Sequence, residues 1–382
     1  MSKTISKVIV LLFIAAIQLF SQKTAVIIGH ECVNLEQIPD YWLEKSKADL
    51  FIGYGHTSHG SQITSGMSAI NAYFNDGKYA WSYSGANNSL HLFEGTSYDD
   101  GYLALDCGYS GWDDKTRRYL DDRPDCNVIM WSWCGQVNDV DLETHYLQRM
   151  AKLEKDYPNV RFVYMTGHLE GDGPNGSLFK ANQKIRDFCI QNNKILFDFA
   201  DIEKYSPDCD INYQEFFADD GCNYNKPGGG SGNWAYEWLA ANPDHLLAKI
   251  SQKCSDCAHS VSLNCVKKGV AAWHLWARIA GWDGIASSIK EDTSIEVNKT
   301  AYCHPNPTDG LTDLHFKSED KGRIRAMFFD SNGNNLLSVE QEKRSDEIVI
   351  PVNFSYFATG AYYFRIELDG KLKANGNLRV VR

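Results

Sequence analysis

The chain has 382 residues, with 38 basic and 49 acidic side chains and a formal net charge of −11. That length implies about two to three domains, and a composition of 43% hydrophobic and 23% charged residues excludes wholesale disorder. The acidic balance excludes nucleic acid as the main partner, because phosphate binding needs clustered Lys and Arg.

The first segment reads as an export signal. Lys3 and Lys7 precede the apolar run Val8–Phe20, followed by Ser21 and Gln22. A basic start and an apolar stretch of this length predict a signal peptide over 1–21. A membrane span needs about 20 apolar residues, and Gln18 interrupts this run, so an uncleaved anchor is the lesser alternative. No stable membrane span is expected after processing.

Export makes disulfides available to the 11 Cys, and the odd total leaves at least one unpaired within the chain. Cys254, Cys257 and Cys265 look like half of a zinc site, but no second Cys pair or His partner follows at zinc-site spacing, so disulfides are expected. The sequence leaves their pairing open.

Residues 25–285 carry the function. Apolar runs at Ala48–Gly53, Asn127–Trp133, Val160–Met165 and Lys194–Phe199 predict buried strands. Helical stretches over Leu142–Lys155 and Lys180–Gln191 separate the later ones. Strands alternating with helices predict a parallel sheet, which places ligands at the C-terminal strand ends. The residues following each strand are therefore the candidates for chemistry.

After the first predicted strand comes Gly55-His56-Thr57-Ser58-His59-Gly60. A Ser between two His, beside glycines, is a candidate nucleophile, since a hydroxyl needs a base to take its proton. Asp256 and His259 form an Asp-x-x-His pair before Gly269–Gly281, which reads as a closing helix. Such a pair can supply a base and the group that orients it. Thr166-Gly167-His168 and Glu170-Gly171-Asp172 follow another strand and face the same edge. No His-x-His or His-Glu-x-x-His pattern is present. No metal and no cofactor are therefore assigned, although His56, His59 and His168 leave a metal site open.

These blocks, in this order, resemble the SGNH (GDSL-like) hydrolase superfamily over roughly residues 45–281. The resemblance implies a three-layer α/β/α, flavodoxin-like parallel sheet. It also implies a catalytic triad of Ser58, His259 and Asp256. Cys107-Gly108-Tyr109-Ser110-Gly111-Trp112-Asp113 matches the second block, which implies the Gly108 N–H as an oxyanion donor. Gly135-Gln136-Val137-Asn138-Asp139 matches the third block, with Asn138 as the side-chain donor. There are departures. His56-Thr57-Ser58 stands where the family has Gly-Asp-Ser, and the third block has one extra residue, so Gln136 competes with Asn138. His56, His59, Gln136, His168, Trp112 and Trp133 are the further candidates for substrate binding.

Residues 286–301 read as a linker. Beyond them, short alternating strands at Ile324–Phe329, Glu347–Val352 and Ala361–Ile366, with turn signals such as Asp330–Gly333, predict a small β-sandwich over 302–382. His304–Gly310, Gly360–Ile366 and the terminal Leu378–Arg382 resemble the C-terminal sorting domain of the Bacteroidetes type IX secretion system. The resemblance implies passage through that machinery to the cell surface or medium. An accessory carbohydrate-binding sandwich is the alternative.

All ten Trp fall between Trp42 and Trp282, and aromatic rings make stacking platforms for sugars. The expected function is a secreted esterase that removes acyl groups such as acetate from a polysaccharide. Two rivals stand beside it. One is a polysaccharide lyase or glycosidase using Tyr54, His56, His59 and His168. The other is a non-catalytic glycan-binding surface protein.

Overall fold

The computed structural model describes residues 24–95, 102–284, 301–329 and 335–381. The expected signal peptide, nearly all of the expected linker and the Asp330–Gly333 turn lie outside these. The chain divides near residue 288 into two compact units.

In the first unit the order is β1 (Val26–Ile28), α1 (Asp40–Asp49), β2 (Phe51–Gly55), α2 (Ser61–Phe74), β3 (Trp81–Ser82), β4 (Leu90–Glu94), α3 (Trp112–Asp122), β5 (Val128–Trp131), α4 (Gln148–Asp156), β6 (Arg161–Met165), α5 (Ser177–Gln191), β7 (Ile195–Phe197), α6 (Phe199–Glu203), a hairpin of β8 (Asn223–Asn225) and β9 (Ser231–Asn233), α7 (Trp234–Ala241), α8 (Leu246–Ser251) and α9 (Ser262–Ile279). Seven strands form one parallel sheet in the order β1-β7-β6-β5-β2-β4-β3. Every residue of β2 and β5 is buried, as expected for strands covered by helices on both faces. This is the expected three-layer α/β/α sheet.

The order places the site. From β2 the chain runs outward to the edge strand β3, returns through β4, then crosses back to β5 and continues to β6 and β7. The winding direction reverses between β2 and β5, so the loops leaving these neighbours diverge and open a crevice at their C-terminal ends.

Three of the predicted element boundaries shift. Ala48 and Asp49 close α1 rather than open the strand, which starts at Phe51. Phe199 opens α6, capped by the Asp198 carboxylate, which accepts from the Asp201 N–H. The closing helix begins at Ser262, seven residues before Gly269. Gly269 sits inside it because α9 crosses α2 backbone to backbone. A Cβ at Gly66 would lie 1.9 Å from the Cys265 carbonyl oxygen, and one at Gly269 would lie 2.4 Å from the Gly66 carbonyl carbon. That crossing holds the segment before α9 over the C-terminal edge of β2.

The Trp residues are mostly core. Trp112, Trp131, Trp133, Trp234, Trp273 and Trp276 are among the largest fully buried side chains. The Trp133 Nε1–H donates to the Met165 carbonyl at 3.0 Å, and that of Trp131 to the Thr116 hydroxyl at 2.9 Å.

The second unit contains β10 (Ala301–His304), β11 (Leu311–Lys317), β12 (Gly322–Phe329), β13 (Asn335–Lys343), β14 (Glu347–Asn353), β15 (Gly360–Leu368) and β16 (Lys371–Val380). They form two antiparallel sheets, β10-β11-β14 and β13-β12-β15-β16. Leu314, Phe316, Ile324, Phe328, Ile350, Phe364 and Ile366 share one core, the period-2 burial of a small sandwich. Among the described residues, no helix is long and apolar enough to cross a membrane.

Candidate functional site

The loop after β2 and the loop after β5 meet at the switch point. A buried carboxylate ties them together: Asp106 accepts from the Thr57 N–H at 2.9 Å, from the Thr57 hydroxyl, and from the Ser132 hydroxyl at 3.4 Å. This clamp sets Ser58 and His59 beside Cys134.

His59 is the centre of the arrangement. Its Nδ1 lies 2.9 Å from the Cys134 sulfur and its Nε2 lies 2.9 Å from Asp220 Oδ2. The Ser58 hydroxyl lies 3.4 Å from the same sulfur. Asp220 is fixed in turn: its Oδ1 accepts from the Gly221 N–H at 2.9 Å, and its backbone carbonyl accepts from the Ser260 hydroxyl at 2.5 Å.

Charge follows from these contacts. Burial disfavours the His59 imidazolium, but the bonds to Asp220 and Cys134 outweigh it and raise His59 to about 9. Burial pushes the Cys134 thiol up, yet the bonds from His59 and Ser58 outweigh that and hold it below the ordinary thiol value. Burial also raises Asp220, and the His59 bond reverses the sign so that its carboxyl is lowered. The three groups favour thiolate, imidazolium and carboxylate. A thiolate next to an imidazolium is the reactive form of cysteine, and a base oriented by a third group is triad geometry.

The expected triad of Ser58, His259 and Asp256 is not joined by hydrogen bonds. His259 is exposed and adopts φ +62°, and its ring stacks on His59 with centroids 4.3 Å apart. Asp256 is exposed, with no described group bonded to its carboxylate. The segment is instead pinned by the Cys257–Cys265 disulfide and by Gln62, whose amide donates to the Ala258 carbonyl. Cys254 stays outside that pair.

The oxyanion candidates separate. Asn138 spends its amide on the Ser177 hydroxyl, 2.9 Å away. Gln136 instead anchors its Oε1 on the Cys134 N–H at 2.9 Å, and no described group accepts from its Nε2. Gly108 packs against this side chain: a Cβ there would come within 2.4 Å of the Gln136 Cβ. The extra residue in the third block thus places Gln136, rather than Asn138, on the Cys134 backbone N–H.

The remaining candidates divide the same way. His168 is brought in, its ring stacked on His59 with centroids 3.8 Å apart. His56 is not, because it is buried with Nε2 on Glu94 at 3.0 Å and Nδ1 on the Thr57 carbonyl at 2.8 Å. Trp112 and Trp133 are core side chains and offer no surface to a ligand. Tyr54 is buried, and desolvation pushes its phenol well above its ordinary value, which removes it as a base. Cys134 and Asp220 carried no sequence signal, since neither lies in a spaced motif. The one available pointer was position: Cys134 directly follows a predicted strand.

No family model matches the chain, and no curated protein matches it. Among solved structures, the crystal structure of an engineered protein aligns at 11% identity with a TM-score of 0.20, covering 87% of this chain and 64% of that one. The chain thus spans just under two thirds of that protein.

Proposed function

We propose that the chain is a secreted hydrolase of acyl esters, with polysaccharide-borne ester groups as the substrate class, and that Cys134 is its nucleophile. The observation that carries this is His59 held at 2.9 Å from both Cys134 and Asp220 at the switch point of the sheet.

The chemistry then runs in two halves. The Cys134 thiolate attacks the ester carbonyl carbon, and the carbonyl pair moves onto oxygen. The Gln136 amide donates to that oxyanion, together with the backbone N–H groups of Ser58 and His59, which no other described group engages. The His59 imidazolium gives its proton to the departing alcohol as the C–O bond breaks, leaving a thioester on Cys134. His59, now neutral, takes a proton from water, which attacks the thioester and restores the thiolate. Asp220 holds the ring and its charge throughout. Ser58 donates to the sulfur in the resting state.

The surroundings favour a neutral ester over a uronate. Desolvation raises Glu170, and Asp172, Asp139 and Asp220 add to it. A rim of carboxylates repels a polyanion. Tyr109 and Phe217 present exposed rings and replace the buried Trp residues as the candidate sugar contacts. The N-terminal leader and the C-terminal sandwich fit export through a type IX route.

The test is release of acetate or p-nitrophenol from acetylated xylan and p-nitrophenyl acetate by the mature chain in EDTA. Turnover that disappears in Cys134→Ala, with the circular dichroism spectrum unchanged, supports the assignment. Full turnover in that variant removes Cys134. Turnover lost in Ser58→Ala but kept in Cys134→Ala returns the role to Ser58.

A further inference from the structure

The same edge of the sheet holds more nitrogen ligands than the acyl chemistry uses. His59, Asp220 and His259 each offer one ligand atom, and these three atoms lie within 4.8 Å of one another. His168 adds an independent observation. It is 7% exposed, and its Nε2 is buried without a hydrogen-bond partner, with Glu170 Oε1 3.9 Å away. Its Nδ1 lies 3.0 Å from the Leu169 carbonyl. An Nδ1–H given to a carbonyl leaves the lone pair on Nε2, which is how metal-binding histidines are oriented. His59 differs, because both its ring nitrogens are engaged, Nδ1 by the Cys134 sulfur and Nε2 by Asp220, so an ion on Nε2 takes the place of the proton shared with Asp220.

We propose that His59, Asp220 and His259 bind a divalent transition-metal ion of the zinc class, with His168 as the fourth donor, and that the metal-bound form is the resting, inactive form of the hydrolase. Two imidazoles and a carboxylate are a recurring zinc ligand set, with ligand distances of about 2.0–2.2 Å. His259 is exposed, and its turn is held in place by the disulfide and by Gln62 rather than by its own ring.

Inactivity follows from proton accounting and rests on the hydrolase reading. With the ion on Nε2, the ring holds only the proton on Nδ1. Giving that proton away would leave a metal-bound imidazolate, so the cycle from imidazolium to imidazole and back is closed. The ion also takes the carboxylate that orients the ring. Restoring activity needs a chelator or a competing ligand and involves no redox step.

The experiment titrates ZnCl2 into the full EDTA-stripped chain by calorimetry, and CoCl2 with visible absorption. We expect one site per chain, with affinity falling at least about tenfold in His259→Ala and in His168→Ala. Cys134→Ala is expected to keep the site, because the sulfur is not a ligand. Ester hydrolysis is expected to fall as Zn2+ fills the site and to return with EDTA. The absence of saturable binding, or binding unchanged in His259→Ala, overturns the site. Hydrolysis that rises with Zn2+ overturns the inactive-form assignment. If the chain binds Zn2+ as described yet hydrolyses no ester in EDTA, the site stands and the hydrolase reading fails.

Discussion

His59 Nδ1 lies 2.9 Å from the Cys134 sulfur, although 75 residues separate them in sequence. The contact exists because β2 and β5 are adjacent parallel strands, with Gly55 opposite Trp131. Each residue lies three or four positions beyond its strand, at the same level of the sheet. The pair makes Cys134 chemically distinct from the other thiols.

Iodoacetamide should therefore alkylate Cys134 before Cys209 in weakly acidic buffer containing EDTA. Cys209 is the more exposed, but desolvation raises its thiol, whereas Cys134 is lowered. Peptide mapping after a short pulse reads the order, and His59→Ala should abolish the preference.

Asp220→Asn should lower kcat by about 10²–10⁴ with KM little changed, because it removes the charge that stabilises the imidazolium while leaving the ring in place. Steady-state kinetics of ester hydrolysis measure it. A parallel fall in the pKa of His59, followed by NMR of the ring protons, separates this role from a structural one.

Gly108→Ala should lower kcat by about 10²–10³, since the added Cβ displaces Gln136 from the Cys134 backbone N–H. Gln136→Ala should give a similar loss, and the double variant little more, because both act through one amide. Asn138→Ala should cost far less.

Lys268 and Glu203 form a fully buried ion pair, 2.5 Å apart. Lys268 also donates to Gln62, whose amide holds the Ala258 carbonyl, and Glu203 accepts from the Leu169 N–H at 2.8 Å. The pair thus supports the chain on both sides of the site. Lys268→Met should destabilise the fold by about 3–5 kcal/mol by stranding a buried carboxylate. Urea unfolding measures it, and adding Glu203→Leu should recover part of the loss.

His274 gives a pH signature. Burial, reinforced by Arg278, lowers it from 6.5 to about 4, and its Nδ1 has no partner. The unfolded chain therefore binds the extra proton first. Stability is complete above about pH 6.5 and declines as pH falls toward about 4, by up to about 3 kcal/mol from this group. His274→Leu should flatten that part of the curve of unfolding free energy against pH.

Much of the architecture was written locally. The strands β2, β5, β6 and β7 lie within continuous apolar runs that show in the sequence, whereas β4, as long as β2, is broken by His91 and Glu94 and shows no such run. The alternation that gave the C-terminal sandwich is a period-2 signal within single strands, so no partner strand was needed to read it. Ser58, His59, His168 and His259 were legible as residues at strand ends or before a closing helix.

What the sequence could not decide is which of them touch. Spacing placed His259 over Ser58, but the Gly66–Gly269 crossing, the disulfide and the left-handed backbone at His259 turn its ring onto His59 instead. Cys134 and Asp220 join His59 only because the strand order brings β5 beside β2 and because the chain after α6 folds back over that edge. The Trp residues make the same point: their clustering in one domain was a property of the sequence, but the packed layers buried eight of them as core. Length, charge and composition bounded the molecule. The contacts among Cys134, His59, Asp220 and His259 arise from distances between segments up to 200 residues apart, as between His59 and His259, which only the packed sheet determines.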